Sequence, residues 1–127
     1  MRILRHPALW ACGFVTWFAT LWWLSSRVHY MPPSLTFSTS DKILHFGWFF
    51  GGAGMLSAAL FCGKPNWSQR TRILTVIGAV TLTGVIDEFH QSFVPGRQGN
   101  DLYDLTADFL GACAGSLLFL PFQRWFR

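Results

Sequence analysis

The sequence predicts an all-α integral membrane protein, a bundle of four transmembrane helices. Three observations predict it. Half of the 127 residues are apolar and 17% aromatic, while 13% are charged, about half the share usual in soluble domains. Four apolar runs, about 8–26, 43–62, 73–93 and 104–122, each have roughly the 17–25 residues that a spanning helix needs. The charges are also sorted by side. With the N-terminus inside, the inner segments carry Arg2, Arg5, Lys64, Arg70, Arg72, Arg124 and Arg127, and the outer ones only Arg27, Lys42 and Arg97. That bias satisfies the positive-inside rule and gives an N-in, C-in topology. The net charge of +4 is thus a topology signal, and no nucleic-acid partner is expected. At this length residues 1–127 read as a single domain.

The first run follows Arg2 and Arg5, as a signal peptide would, but it is long and Trp-rich and no small-x-small site follows. It is expected as a retained, lipid-facing anchor with little chemistry, its Trp22-Trp23 pair in the outer interfacial belt. The segment 26–40, with Pro32-Pro33 and a Ser/Thr cluster, reads as the longest loop. Ser40 is the expected N-cap of the second helix, and Asp41 suits the positive end of its dipole. Asp41 and His45 share a helix face that Gly52 continues. Gly47, Gly51, Gly54 and Ala58 would let a neighbouring helix approach closely. The basic connection 63–72 suits anionic lipid.

In the third helix, Ile73 to Ile86 is an uncharged run of fourteen residues, about 21 Å of helix. Asp87 and Glu88 follow it, inside a hydrocarbon core about 30 Å thick. Carboxylates at that depth cost roughly 2.5–3.5 kcal/mol each on insertion scales and are usually functional. Gly84, Asp87, Glu88 and Gln91 form one polar stripe, His90 is within reach of Asp87, and Pro95-Gly96 ends the helix. Arg97 then falls where it can pair with a carboxylate. Asp101 is placed to cap the fourth helix. Asp104, Asp108, Gly111 and Gly115 form a face expected to look inward.

All six acidic residues, Asp41, Asp87, Glu88, Asp101, Asp104 and Asp108, fall on the predicted outer side, with His29, His45 and His90. A polar pocket at the outer mouth of helices two, three and four follows. Cys12, Cys62 and Cys113 lie in different spans and suggest packing rather than disulfides.

These residues resemble the VanZ-like family of small bacterial membrane proteins. The likeness rests on Asp41-Lys42-x-x-His45-Phe46, Asp87-Glu88-x-x-Gln91, Pro95-Gly96-Arg97 and Asp104-x-x-Ala107 followed by Gly111, in that order. The chain departs from the family at Asp108, commonly Asn, and at Phe49, often Tyr. The resemblance implies a role in the cell envelope, with a multi-pass location in the bacterial inner (cytoplasmic) membrane. It also implies an association with resistance to teicoplanin-type glycopeptide antibiotics. The motif residues it carries over are Asp41, Lys42, His45, Asp87, Glu88, Gln91, Arg97 and Asp104.

Three readings of the outer residues stand side by side. In the first, the pocket binds an envelope lipid, a lipid-linked precursor or a glycopeptide through Asp41, Lys42, His90, Gln91, Arg97, Asp104 and Asp108. In the second, it is an enzyme on a lipid-linked substrate. Asp87 or Glu88 is then the base, His45 or His90 moves a proton, and Lys42 and Arg97 hold an anionic head group. In the third, the cluster is a structural ion-paired plug. No cofactor is expected. A zinc or manganese ion on Asp41, His45, Asp87, Glu88, His90 or Asp104 has suitable donor types but no recognisable ligand spacing. Lipid is the expected surrounding partner, and the short helices leave a homo-oligomer open. Uncharged inner helix halves argue against a channel.

Overall fold

A computed structural model describes residues 2–27, 38–97 and 99–126. All its regular elements are helical: α1 (Pro7–Ser25), α2 (Ser38–Gly63), α3 (Gln69–Gln91) and α4 (Leu102–Leu118), with short 3-10 segments at Arg2–Arg5 and Leu120–Phe126. The expected loop with Pro32-Pro33, and His29 within it, lie outside the described residues.

Local signals explain the boundaries. Pro7 starts α1 with a preset φ and no N–H to satisfy. The Ser68 hydroxyl caps α3 by accepting from Thr71 N–H at 3.0 Å. The Asp101 carboxylate caps α4, accepting from Tyr103 N–H at 2.7 Å and Asp104 N–H at 3.4 Å. Gly96, at φ 80°, supplies the left-handed turn beyond α3.

Several expected boundaries shift, and the third helix already starts at Gln69. The second helix begins at Ser38, so Ser40 lies inside it and is not its N-cap. The third stops at Gln91, where the Ser92 N–H turns back to the Glu88 and Phe89 carbonyls. The fourth α-helix ends at Leu118, and the chain continues as the 3-10 segment, bent by 51°. Pro121 accounts for the break, because it lacks an N–H and disfavours helical geometry in the residue before it.

α1, α2 and α3 are each long and apolar enough to cross a membrane, and α4 with its bent continuation makes a fourth candidate span. At 17 residues, α4 alone rises about 26 Å, short of a hydrocarbon core. Large apolar side chains such as Val15, Ile43, Leu74, Leu82 and Leu110 face outward, as lipid contact requires and water would not tolerate as one continuous surface. Consecutive helices run antiparallel. The six carboxylates therefore gather at one end of the bundle, the acidic end, and Arg5, Lys64, Arg70, Arg72 and Arg124 at the other, the basic end.

Between the two ends lies a core of Trp17, Leu21, Phe49, Ala53, Val76, Val80 and Ala112. α2 and α4 make the most extensive helix pair, and glycine explains why. A Cβ on Gly111 would strike Phe46 O and come within 3.0 Å of Phe50 N. One on Gly115 would strike Phe50 O. The inward face expected for α4 is therefore correct, whereas the glycines expected to receive a neighbour on α2 are not. Among the described residues, nothing lies within 4 Å of a Cβ on Gly47, Gly51 or Gly54. Gly52 receives Trp17 of α1, whose indole would lie 2.5 Å from a Cβ there, and so faces a different helix from His45. Trp17 is buried, with its Nε1–H donating to Trp48 O at 3.0 Å. α1 is thus packed through its middle rather than being only a lipid-facing anchor.

Candidate functional site: a buried carboxylate cluster

The acidic end is assembled from one face each of α2, α3 and α4. Lys42 sits at its mouth. Its ammonium donates to Asp104 Oδ1 and, at 3.2 Å, to Asp101 Oδ2, and it lies 3.7 Å from Asp41 Oδ2. One turn deeper, His45 Nδ1 is 2.9 Å from Asp108 Oδ1, an N–H donor to a carboxylate, and its Nε2 is 3.9 Å from Asp104 Oδ2. An imidazole is thereby held between two carboxylates.

α3 brings the second half. The Gln91 amide donates to Asp87 Oδ2 at 2.7 Å, and its carbonyl accepts from Arg97 Nη2 at 2.7 Å and Nε at 3.2 Å. The expected approach of Arg97 to the α3 carboxylates thus runs through Gln91. Glu88 Oε2 accepts from the Asp101 N–H at 2.9 Å, and the Glu88 carbonyl accepts from the Asn100 N–H at 3.3 Å. Asn100 holds a positive φ of 62° and Gly99 lies against Ser92 N and Glu88 O. The link between α3 and α4 is folded down onto Glu88 in this way. Asp101 is consequently more than the expected cap: it bonds Lys42 through its side chain and Glu88 through its main chain. Outside the spans, its carboxyl is held below the usual carboxylate range, first by the Tyr103 N–H and then by Lys42.

Most polar side chains at the acidic end are enclosed. Asp87, Glu88, Gln91, Asp104 and Asp108 are all buried, Asp108 at 1% exposure and Asp87 at 2%. Gly84 makes room for it. A Cβ there would lie 2.8 Å from Asp108 Oδ2 and 3.1 Å from the ring of Phe49. Three of the cluster's oxygens, Asp87 Oδ1, Glu88 Oε1 and Asp108 Oδ2, are buried with no hydrogen-bond partner among the described residues. Each such oxygen costs on the order of 1–3 kcal/mol if nothing donates to it. Acceptors therefore outnumber donors.

His90 departs from expectation. It faces α1 rather than Asp87: its ring stacks on Trp22 at 3.9 Å between centroids, and its Nε2 is 2.9 Å from Ser26 Oγ. The Ser26 hydroxyl already donates to Trp22 O, so the His90 Nε2–H is the donor to it. Trp22 and Ser26 were missed as site neighbours. Their spacing of four, at the same end as the acids, was the available signal.

Asp41, His45 and Asp104 offer ligand atoms within 4.8 Å of one another, a donor set that suits zinc. The Lys42 ammonium bonds Asp104 and neighbours Asp41, so an ion there would meet a like charge at close range. Asp87, Glu88 and His90 do not join this group.

Compared with models of known families, residues 8–126 match the one described as VanZ/LLP1. The chain belongs to this family. Family membership and the apolar helices together make it a membrane protein. Neither curated proteins nor solved structures give a match. In this VanZ/LLP1 member the four motif pieces, distant in sequence, meet at the acidic end: Lys42 with Asp104, His45 with Asp108, and Asp87 with Gln91 and Arg97.

Proposed function

We propose that the chain is a binding protein of the bacterial cell envelope. In this reading it lies in the cytoplasmic membrane with both termini inside and its acidic end outward. It takes the donor-rich part, amine or hydroxyl groups, of an envelope lipid, a lipid-linked precursor or a glycopeptide-type ligand. The observation that carries the reading is the set of three buried carboxylate oxygens, on Asp87, Glu88 and Asp108, that find no donor among the described residues. A ligand amine or sugar hydroxyl supplies what they lack, and in a low-dielectric site such charge-assisted bonds are strong. The closed cluster then opens to admit it. The orientation draws support from the cations, since those at the acidic end have local work: Lys42 on carboxylates, Arg97 on Gln91 and Arg27 over Trp23. The association with teicoplanin-type resistance is part of this proposal, as the phenotype such binding would produce.

One feature favours a second reading, an enzyme acting on a lipid-linked substrate. Asp108 orients the His45 imidazole through Nδ1 and leaves Nε2 toward Asp104, the arrangement of a general base with its orienting carboxylate. Asp87 and Glu88 would then serve as acids or bases and Lys42 as the anchor of an anionic group.

The test is mass spectrometry of lipids retained by wild type and by Asp87→Asn, purified identically from one bacterial host. A single envelope lipid enriched on wild type and lost from the variant supports a ligand site. An unmodified lipid favours the binder and a modified one the enzyme. The same bulk phospholipid on both proteins overturns both readings and leaves the cluster as an internal brace.

A further inference from the structure

The basic end holds a second polar site, unrelated to the carboxylate cluster. Here α2, the start of α3, the end of α4 and the bent C-terminal segment enclose a small cavity. Its polar lining consists of Ser57, Gln69, Arg72, Ser116 and Gln123, among Phe61, Ile73, Phe119 and Leu120. Gln123 is buried to 9% exposure, and Ser57 to 7%. The Ser116 hydroxyl is committed to Cys113 O at 3.0 Å. Among the described residues, the side chains of Ser57 and Gln123 make no hydrogen bond. A carboxamide has up to four hydrogen bonds to satisfy, and the amide atoms of Gln123 are not fully enclosed. Lining the cavity, this carboxamide has the cavity as its outlet.

The remaining features give that outlet a sign. Gln69 and Arg72 belong to the first turn of α3, a helix of 23 residues. Ser68 satisfies only the Thr71 N–H there, so other first-turn N–H groups stay open and the helix dipole adds partial positive charge. The Arg72 guanidinium is fixed beside them, over the Phe61 ring at 5.2 Å and with Nη1 donating to Lys64 O at 3.2 Å. Lys64 and Arg70 lie close in sequence, and Trp67 and Trp125 are exposed at this end, as at a head-group boundary. The space is small, so a ligand enters by an oxygen rather than by its whole head group.

We infer that this cavity at the basic end is a binding site for a phosphate-type oxyanion, held by Arg72, Gln123 and Ser57 at the N-terminus of α3. The same chemistry is offered by the head group of an anionic phospholipid and by free phosphate. The C-terminal segment, through Gln123, makes the site, which gives its bend a purpose beyond ending a span.

Native mass spectrometry of the full chain in detergent tests it, with short-chain phosphatidylglycerol, phosphatidylcholine and inorganic phosphate as probes. Wild type is expected to retain phosphatidylglycerol over phosphatidylcholine. Arg72→Gln and Gln123→Leu should each lower that retention about tenfold, as loss of a charge-assisted hydrogen bond would. Arg70→Gln, whose side chain does not line the cavity, should retain it. Displacement by millimolar inorganic phosphate identifies a free oxyanion as an occupant, and resistance to displacement identifies the lipid; either keeps the site. Equal retention of the two lipids by wild type overturns the inference. So does a loss on Arg70→Gln as large as on Arg72→Gln, which would indicate a diffuse basic field, or undiminished retention in both cavity variants.

Discussion

Replacing Gly111 by alanine probes the seam between α2 and α4 on which the acidic cluster depends. A Cβ at this position would lie 3.0 Å from Phe50 N and 3.2 Å from Phe46 C, and closer still to Phe46 O. These are backbone atoms of a helix, so no side chain can rotate away. Ordinary contact begins at about 3.4 Å, so α2 must move back by about half an ångström or more. Overpacking of this kind costs about 1–3 kcal/mol, and the upper half is expected because the obstacle is main chain. The variant also gains helix propensity, roughly 1 kcal/mol for glycine to alanine, which would obscure the effect if wild type were the reference. Gly54→Ala is the better reference. It gains the same propensity and its Cβ meets nothing within 4 Å, so the difference between the two variants isolates packing. The assay is unfolding of the purified protein in detergent micelles, followed by circular dichroism. Gly111→Ala should be less stable than Gly54→Ala by about 1–3 kcal/mol. Equal stability would refute the close approach of α4 to α2.

Asp101→Ala removes the α4 cap and should lower stability by about 0.5–2 kcal/mol in the same assay, while Asp101→Asn keeps most of the cap. The depressed carboxyl of Asp101 also sets a pH dependence. Its contribution is present above the unfolded carboxylate range, near pH 4, and is lost as pH falls through the lower folded value. Asp101→Asn should flatten that acid limb of the stability curve, and an unchanged limb would exclude Asp101 as its source. His90→Ala should cost about 1–3 kcal/mol, the sum of a ring stack and a hydrogen bond. Ser26→Ala should cost only the hydrogen-bond share, about 0.5–1.5 kcal/mol. If His90→Ala leaves stability unchanged, the link between α1 and α3 does not hold α1 in place.

Much of the architecture is legible in the chain itself. Apolar run length marks the helices, because a bilayer leaves no backbone group unpaired and so selects helices of a set length. Asp101 as a cap acts within a few residues, where local geometry is sufficient; Pro121 is an equally local signal, but the expected helix to residue 122 runs past it. Helical periodicity places Asp104, Asp108, Gly111 and Gly115 on one inward face, and the polar stripe of α3 is equally plain. Periodicity orients a side chain only relative to its own helix. It leaves open how far each helix is rotated and shifted against its neighbours, and that decided the rest. Gly47, Gly51 and Gly54 look as suited to close packing as Gly111 and Gly115, yet only the α4 pair meets another backbone. His90 is spaced to reach Asp87, but the position of α1 gives it Trp22 and Ser26 instead. Asp101 gains Lys42 and Glu88, 59 and 13 residues away, because the connection after α3 folds back. The sequence by itself determined the helices and the gathering of acids at one end. Only the tertiary packing decided which acids are paired, and that Asp87, Glu88 and Asp108 each keep an oxygen with no donor among the described residues.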